Sequence, residues 1–408
     1  MSVKLRVSRA GDPRVREFVP NAIDANTPVA PGSALLKLDR IGLTTNSLTY
    51  IVNRELGFLD FFSDPADSEW GHNPVWGVAT VVRANGVPGL EPGARLFGYM
   101  PVWSYFVLNL EPRADPKAEA GAAAPSDGLR IFRETSPHRE AIAIGAFLYN
   151  TYLTVAPADA AAAAAADDSD ARLVSDSTVA CAGLCFARGP LRPAVLGPGA
   201  TVVVACASSR TALGLAWSLR RSHGGGGDDG GVGTRVVGLT SAGRNRAFVE
   251  GTGLYPDGVL AYDEVGERLP AALGAGDGKV FLVDFSGRLD VLVEAQGAVP
   301  DARLAATFIG GNAAWERNAA VGAAGAAAGL RGEVGRLNTT AIYQAWVEEE
   351  GTYTVARERM AVWKRMEKEV FGGFETVRRK GTEGFEELWG MLLDGEARRP
   401  WVDLVCEF

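Results

Sequence analysis

Residues 200–220 read Ala200-Thr201-Val202-Val203-Val204-Ala205-Cys206-Ala207-Ser208-Ser209-Arg210-Thr211-Ala212-Leu213-Gly214-Leu215-Ala216-Trp217-Ser218-Leu219-Arg220, and the rest of the chain can be placed from them. The opening run of small and β-branched apolar residues predicts a buried strand. Ala207 to Thr211 is a tight turn of small residues, and Ala212 to Arg220 has helical spacing. After a glycine-rich spacer, Arg235-Val236-Val237-Gly238-Leu239-Thr240-Ser241 predicts a second strand. Strand, turn, helix, strand is the βαβ unit of a nucleotide-binding sheet. Its turn lies where free N–H groups at a helix start attract phosphate.

The chain is long enough, at 408 residues, for two domains with sizeable cores. Hydrophobic residues are 47% and charged residues 22%, ordinary for a soluble globular protein. A net charge of −8 argues against general attraction to nucleic acid. No apolar run reaches the ~20 residues of a membrane span, and the start of the chain has no apolar signal core. A reducing, cytoplasmic setting is the expectation. Cys181, Cys185, Cys206 and Cys406, with only His72, His138 and His223, supply neither a disulfide framework nor a zinc-ligand set. Buried thiols are the expectation for Cys181 and Cys185.

Upstream, Ala34 to Leu43, Pro74 to Arg83 and Trp103 to Leu108 are short strand-like runs, Leu90 to Tyr99 is a Pro-Gly turn feeding another strand, and together they predict a compact β-barrel. Thr44 to Val52 predicts a short helix, and Glu140 to Tyr152 has a helical pattern. Ala156–Ser169 and Gly224–Gly233 are low-complexity surface insertions. Beyond the second strand, runs at Gly258–Tyr262, Lys279–Gly287 and Ala305–Gly311, separated by helix-length segments, predict a parallel sheet covered on both faces. Thr339 to Phe408 is charge-rich and reads as a helical tail.

The order of these parts resembles the medium-chain dehydrogenase/reductase superfamily. More closely, the chain is similar to the family called DUF2855. The matching pieces are Pro74-Val75-Trp76-Gly77, Ser136-Pro137-His138-Arg139, Tyr149-Asn150-Thr151-Tyr152, Ala207-Ser208-Ser209-Arg210-Thr211-Ala212 and Gly238-Leu239-Thr240-Ser241. The resemblance implies an α/β chain with a GroES-like β-barrel domain over residues 1–150 and a Rossmann doubly wound parallel sheet over 151–338. A helical C-terminal tail over 339–408 then completes the catalytic domain. It also implies zinc-independent hydride transfer to a polarised double bond, as in the enoyl and quinone reductases of the superfamily, and leaves homodimer formation open.

The turn lacks the glycines usual in that superfamily. Ser208, Ser209 and Thr211 offer hydroxyls and Arg210 a cation for the cofactor's diphosphate. An NAD enzyme usually carries an acid after the second strand. Here Ser241, Arg244 and Arg246 stand instead, which suits the 2′-phosphate of NADP. The resemblance places Gly310 and Asn312 at the corner approaching the nicotinamide. It also gives Asn46 an amide pointing into the cleft, although Asn46 equally suits a helix cap. Tyr50 is a proton donor or a structural tyrosine. Trp70, Trp76 and Trp103 line a pocket or fill the core, and His138 with Arg139 reads best as a hydrogen-bonded structural pair. The expected function is an NADPH-dependent reductase of an apolar enone, enoyl or carbonyl compound. The rival is a pseudo-oxidoreductase that binds a metabolite or partner, or catalyses an isomerisation or cyclisation.

Overall fold

The computed structural model describes residues 2–54, 57–62, 69–117, 128–140, 148–155, 169–223, 233–310, 330–395 and 399–408. Most of both low-complexity insertions lies outside these residues.

Six parallel strands make one sheet, in the order Val259–Ala261, Arg235–Thr240, Thr201–Ala205, Val280–Asp284, Leu304–Ile309, Glu333–Arg336. Every residue of Thr201–Ala205 and Val280–Asp284 is buried. That burial explains why both read as unbroken apolar runs, since a central parallel strand is covered on both faces. Strand order reverses between these two, and a ligand crevice opens at such a switch point beyond the carboxyl ends of the strands. Helix Arg210–His223 packs on helix Thr178–Arg188 at a distance only glycine allows. A Cβ on Gly214 would lie 2.2 Å from the Ala180 carbonyl oxygen, and one on Gly183 would lie 2.2 Å from the Leu215 nitrogen.

The second large sheet runs Glu375–Lys380, Val402–Glu407, Ser33–Leu43, Pro74–Asn85, Arg95–Pro101, Thr151–Val155, Ile131–Glu134, Tyr105–Pro112. Pairing of Ser33–Leu43 with Tyr105–Pro112 closes its last six strands into a barrel. Alternate residues of Tyr105–Pro112 (Phe106, Leu108 and Leu110) are buried, the period of a strand with one face on the core. The turn between two barrel strands is Glu91-Pro92-Gly93-Ala94, with Gly93 at φ 86°. A type II turn asks for proline followed by a residue of positive φ. A small three-stranded sheet, Arg16–Pro20, Val3–Ser8 and Trp70–Gly71, occupies the N-terminal entry.

Two segments differ from their sequence patterns. Thr151 and Tyr152 open strand Thr151–Val155, which pairs with two barrel strands. The barrel sheet therefore runs past residue 150. The tail is helical at Thr339–Glu350, Thr352–Met366 and Gly381–Asp394, but its strands Glu375–Lys380 and Val402–Glu407 extend the barrel sheet. Glu375–Lys380 has the sequence ETVRRK, whose charges hide its strand character.

Barrel and parallel sheet share one apolar core that contains Tyr50, Trp76 and Tyr99 together with Ala207, Leu213 and Phe285. The connection between them is pinned. A Cβ on Gly42 would meet the Val174 carbonyl oxygen at 2.4 Å, and Arg95 reaches Asp170 at 2.6 Å. Tail helix and sheet helix are joined by Trp217 Nε1, which donates to Glu369 at 2.7 Å.

Candidate active site

Strand Thr201–Ala205 ends at Cys206, whose φ of 61° is the one positive value at a non-glycine position among the described residues. The first glycine of a dinucleotide turn serves this sharp reversal, and here a cysteine takes the left-handed conformation. The turn is then tied down. Ala207 N donates to Leu239 O at 3.0 Å, and Ser209 N donates to Cys206 O at 2.8 Å. The Ser209 hydroxyl accepts from Ala212 N at 3.3 Å, so Ser209 caps helix Arg210–His223. Gly238, on the adjacent strand, makes room for this bend. A Cβ there would lie 2.9 Å from the Ala207 side chain and 3.0 Å from the Tyr255 ring, whose hydroxyl donates to Ala207 O at 3.0 Å.

Ser208 is buried, whereas Cys206, Ser209 and Thr211 are half-buried at the helix start. Arg210 points elsewhere. Its guanidinium donates to Val402 O at 2.7 Å and to Asp403 Oδ1 at 2.5 Å, and lies over the Phe374 ring. Asp403 is fully buried, and its Oδ2 has no partner among the described residues. Arg210 thus clamps the C-terminal strand to the helix start.

The loop after the second strand divides its arginines. Asn245 Nδ2 donates to Ser241 Oγ at 2.7 Å. Arg246 Nη1 donates to both carboxylate oxygens of Glu264, at 3.0 and 2.9 Å, and its Nε donates to Glu250 at 2.9 Å. Those bonds tie Arg246 to two of the chain's own carboxylates. Arg244 is exposed and has no ion pair among the described residues.

Two groups at the switch point escaped the sequence reading. Asp284, at the end of the fourth strand, is buried and accepts from Ser286 N at 2.7 Å, Ser286 Oγ at 2.5 Å and Gly287 N at 3.0 Å. Burial raises its carboxyl above the usual range. Burial also lifts the Cys206 thiol to about 12, with the Asp284 carboxylate adding to the rise. The run ending Asp284-Phe285-Ser286-Gly287 was the available signal, an acid followed by a hydroxyl and a turn glycine. Gly310 follows the fifth strand and donates to Asp284 O at 2.8 Å. A Cβ on Gly310 would lie 2.6 Å from the Phe285 ring. Asn312 lies outside the described residues.

On the barrel side, helix Thr45–Val52 carries Asn46 and Tyr50. Thr44 and Ser47 make the cap, with Thr44 N donating to Ser47 Oγ at 3.3 Å. Asn46 is thus not the cap; it is half-buried, and its side chain makes no hydrogen bond to a described residue. Tyr50 sits in an aromatic cluster, 4.2 Å from Phe58 and 5.8 Å from Tyr99 between ring centroids. Trp76 belongs to this cluster, 5.1 Å from Tyr99. Trp70 and Trp103 lie apart from it, Trp70 beneath Arg6 and Trp103 donating to buried His72 at 3.2 Å. The pieces around Arg139 and Tyr152 form a buried polar network. Arg139 donates to Phe61 O and Tyr152 Oη, each at 2.9 Å, and pairs with Glu134 at 3.3 Å. Among the described residues no three His, Cys, Asp or Glu side chains converge as metal ligands, and no helix is long and apolar enough to cross a membrane.

The family model described as "Protein of unknown function (DUF2855)" matches residues 41–398. The chain belongs to the DUF2855 family. No curated protein is similar to it in sequence. Solved structures share its fold throughout. The complex of Etr1p, a 2-enoyl thioester reductase from Candida tropicalis, with NADP and crotonyl-CoA is 11% identical, with a TM-score of 0.58 over 100% of this chain and 99% of that one. CurA from Vibrio vulnificus, in complex with NADPH, is 14% identical, with a TM-score of 0.57 over 99% and 98%. A quinone oxidoreductase from Pseudomonas syringae is 14% identical, with a TM-score of 0.54 over 100% of both chains. This DUF2855 member therefore has the barrel-plus-Rossmann fold of the medium-chain reductases.

Proposed function

We propose that this protein is a zinc-independent, NADPH-dependent reductase of an apolar enone, enoyl or related carbonyl compound. The observation that carries the reading is the left-handed bend at Cys206, which brings a capped helix start to the switch point of a parallel sheet. A phosphate there meets free N–H groups and the half-exposed hydroxyls of Ser209 and Thr211. The structures bound to NADP in Etr1p and to NADPH in CurA have this fold. Ser241 and Arg244 hold the 2′-phosphate, and the Gly310 backbone faces the nicotinamide. Asn46 and Tyr50 orient and protonate the acceptor.

The bound cofactor supplies the hydride. The chain's own residues hold the acceptor oxygen, exclude water with the aromatic wall around Trp76, and return a proton. Purified protein titrated with NADPH, then offered a panel of enones and enoyl thioesters, tests the reading. Binding and NADPH consumption support it, and no binding at near-millimolar NADPH removes it.

One observation favours the rival. Arg210, the nearest cation to the turn, is tied to Asp403, and Cys206 and Ser209 stand where backbone usually approaches phosphate unhindered. A pseudo-oxidoreductase would bind a metabolite in the same crevice without consuming NADPH on any acceptor in the panel.

A further inference from the structure

Helix Arg244–Gly251, which follows the second strand of the parallel sheet, is gripped on two opposite sides. Residues two apart on a helix face nearly opposite ways, and residues four apart share a face. Arg246 and Glu250 lie on one side, where Arg246 also reaches Glu264. Arg244 and Phe248 lie on the other. There Phe248 meets two rings of the C-terminal tail, Trp401 at 5.3 Å and Phe374 at 5.7 Å between centroids. Phe374 in turn lies under the Arg210 guanidinium, 5.8 Å away, at the helix start after the first strand. The tail's rings thus bridge the two helix starts that the reductase reading gives to the diphosphate and the 2′-phosphate.

The bridge is itself fixed. Glu375 N donates to Trp401 O at 2.9 Å, and the strands that follow, Glu375–Lys380 and Val402–Glu407, pair along their whole length. Phe374 is buried, whereas Phe248 and Trp401 are half-buried. Glu375, the acid next to Phe374, pairs with Arg399 at 3.8 Å. On this side the helix therefore meets aromatic rings and an acid that is already paired. Arg246 meets two carboxylates on the other side. That contrast accounts for the exposed state of Arg244.

We infer that Trp401 is a positioning residue for cofactor choice. Through Phe248 it holds the helix that carries Arg244, so that the guanidinium meets the 2′-phosphate of NADPH. The inference rests on the NADPH reading above. A long exposed side chain loses rotamer freedom when it binds phosphate, and fixing the helix beneath it lowers that cost. NADH has no 2′-phosphate and gains nothing from the arrangement. The tail then sets the ratio of the two affinities, not the strength of dinucleotide binding in general.

Calorimetric titration of the full chain with NADPH and with NADH tests this in wild type, Trp401→Ala, Trp401→Phe, Arg244→Ala and the double variant of Trp401→Ala with Arg244→Ala. An aromatic pair is worth a factor of about two to ten. Trp401→Ala should lower NADPH affinity by about that factor and leave NADH affinity unchanged. Trp401→Phe, which keeps a ring against Phe248, should restore most of the preference. In the Arg244→Ala background, Trp401→Ala should not change the ratio further, because both act through one contact. Should Trp401→Ala not fold, Phe248→Leu keeps apolar bulk, removes the ring contact and reads the same ratio. Equal weakening of both nucleotides, an unchanged ratio, or additive losses in the double variant mark a merely structural tryptophan. Any of these overturns the inference and leaves the NADPH reading standing. Wild type that binds neither nucleotide, or both alike, overturns the NADPH reading and the inference with it.

Discussion

Two loops at the carboxyl edge of the parallel sheet each present arginine beside a hydroxyl, and the fold uses them in opposite ways. After the first strand, Arg210 is drawn 193 residues along the chain to Asp403, so the proposed phosphate site keeps only backbone N–H groups and the hydroxyls of Ser209 and Thr211. After the second strand, Arg246 is absorbed by Glu250 and Glu264, while Arg244 stays exposed. Proximity of a cation to a phosphate site says little about its availability. What counts is whether the fold supplies an internal carboxylate that claims it first.

Mutating arginines of each kind separates structural use from ligand use. Arg139 is the extreme structural case. Removing it leaves Glu134 buried without its cation, and breaking a buried pair costs about 3–5 kcal/mol. Arg139→Leu should therefore show a large fall in the urea midpoint. An unchanged midpoint would mean that the barrel network does not hold the fold together. Arg210→Gln should cost about 2 kcal/mol, the scale of a hydrogen bond to a charged group. Its affinity for NADPH, by calorimetry, should fall less than about tenfold, whereas a direct phosphate contact would cost about that or more. Ser209→Ala removes a helix cap and should cost about 1 kcal/mol in thermal or urea unfolding. A somewhat weaker NADPH affinity should accompany it, since the same hydroxyl faces the turn.

Much of this architecture was legible before any coordinates. Thr201–Ala205 and Val280–Asp284 read as buried strands because they are covered on both faces, and the Pro92-Gly93 turn announced itself by its chemistry. The C-terminal strands were not legible. Glu375–Lys380 carries charge because its side chains are exposed or half-buried at the sheet edge, so periodicity gave no signal. The same limit applied to the site. The hydroxyl-rich bend was local and could be read. The capture of Arg210 by Asp403, the αL conformation of Cys206 and the Tyr50–Tyr99–Tyr149 cluster depend on tertiary packing that no local spacing encodes.

The most direct measurement is paired calorimetric titration of wild type and Arg244→Ala with NADPH and with NADH. NADPH should bind wild type more tightly than NADH does. Arg244→Ala should lose about tenfold or more of the NADPH affinity with its NADH affinity and unfolding midpoint unchanged. Equal binding of the two nucleotides, or no binding of either, would contradict the account.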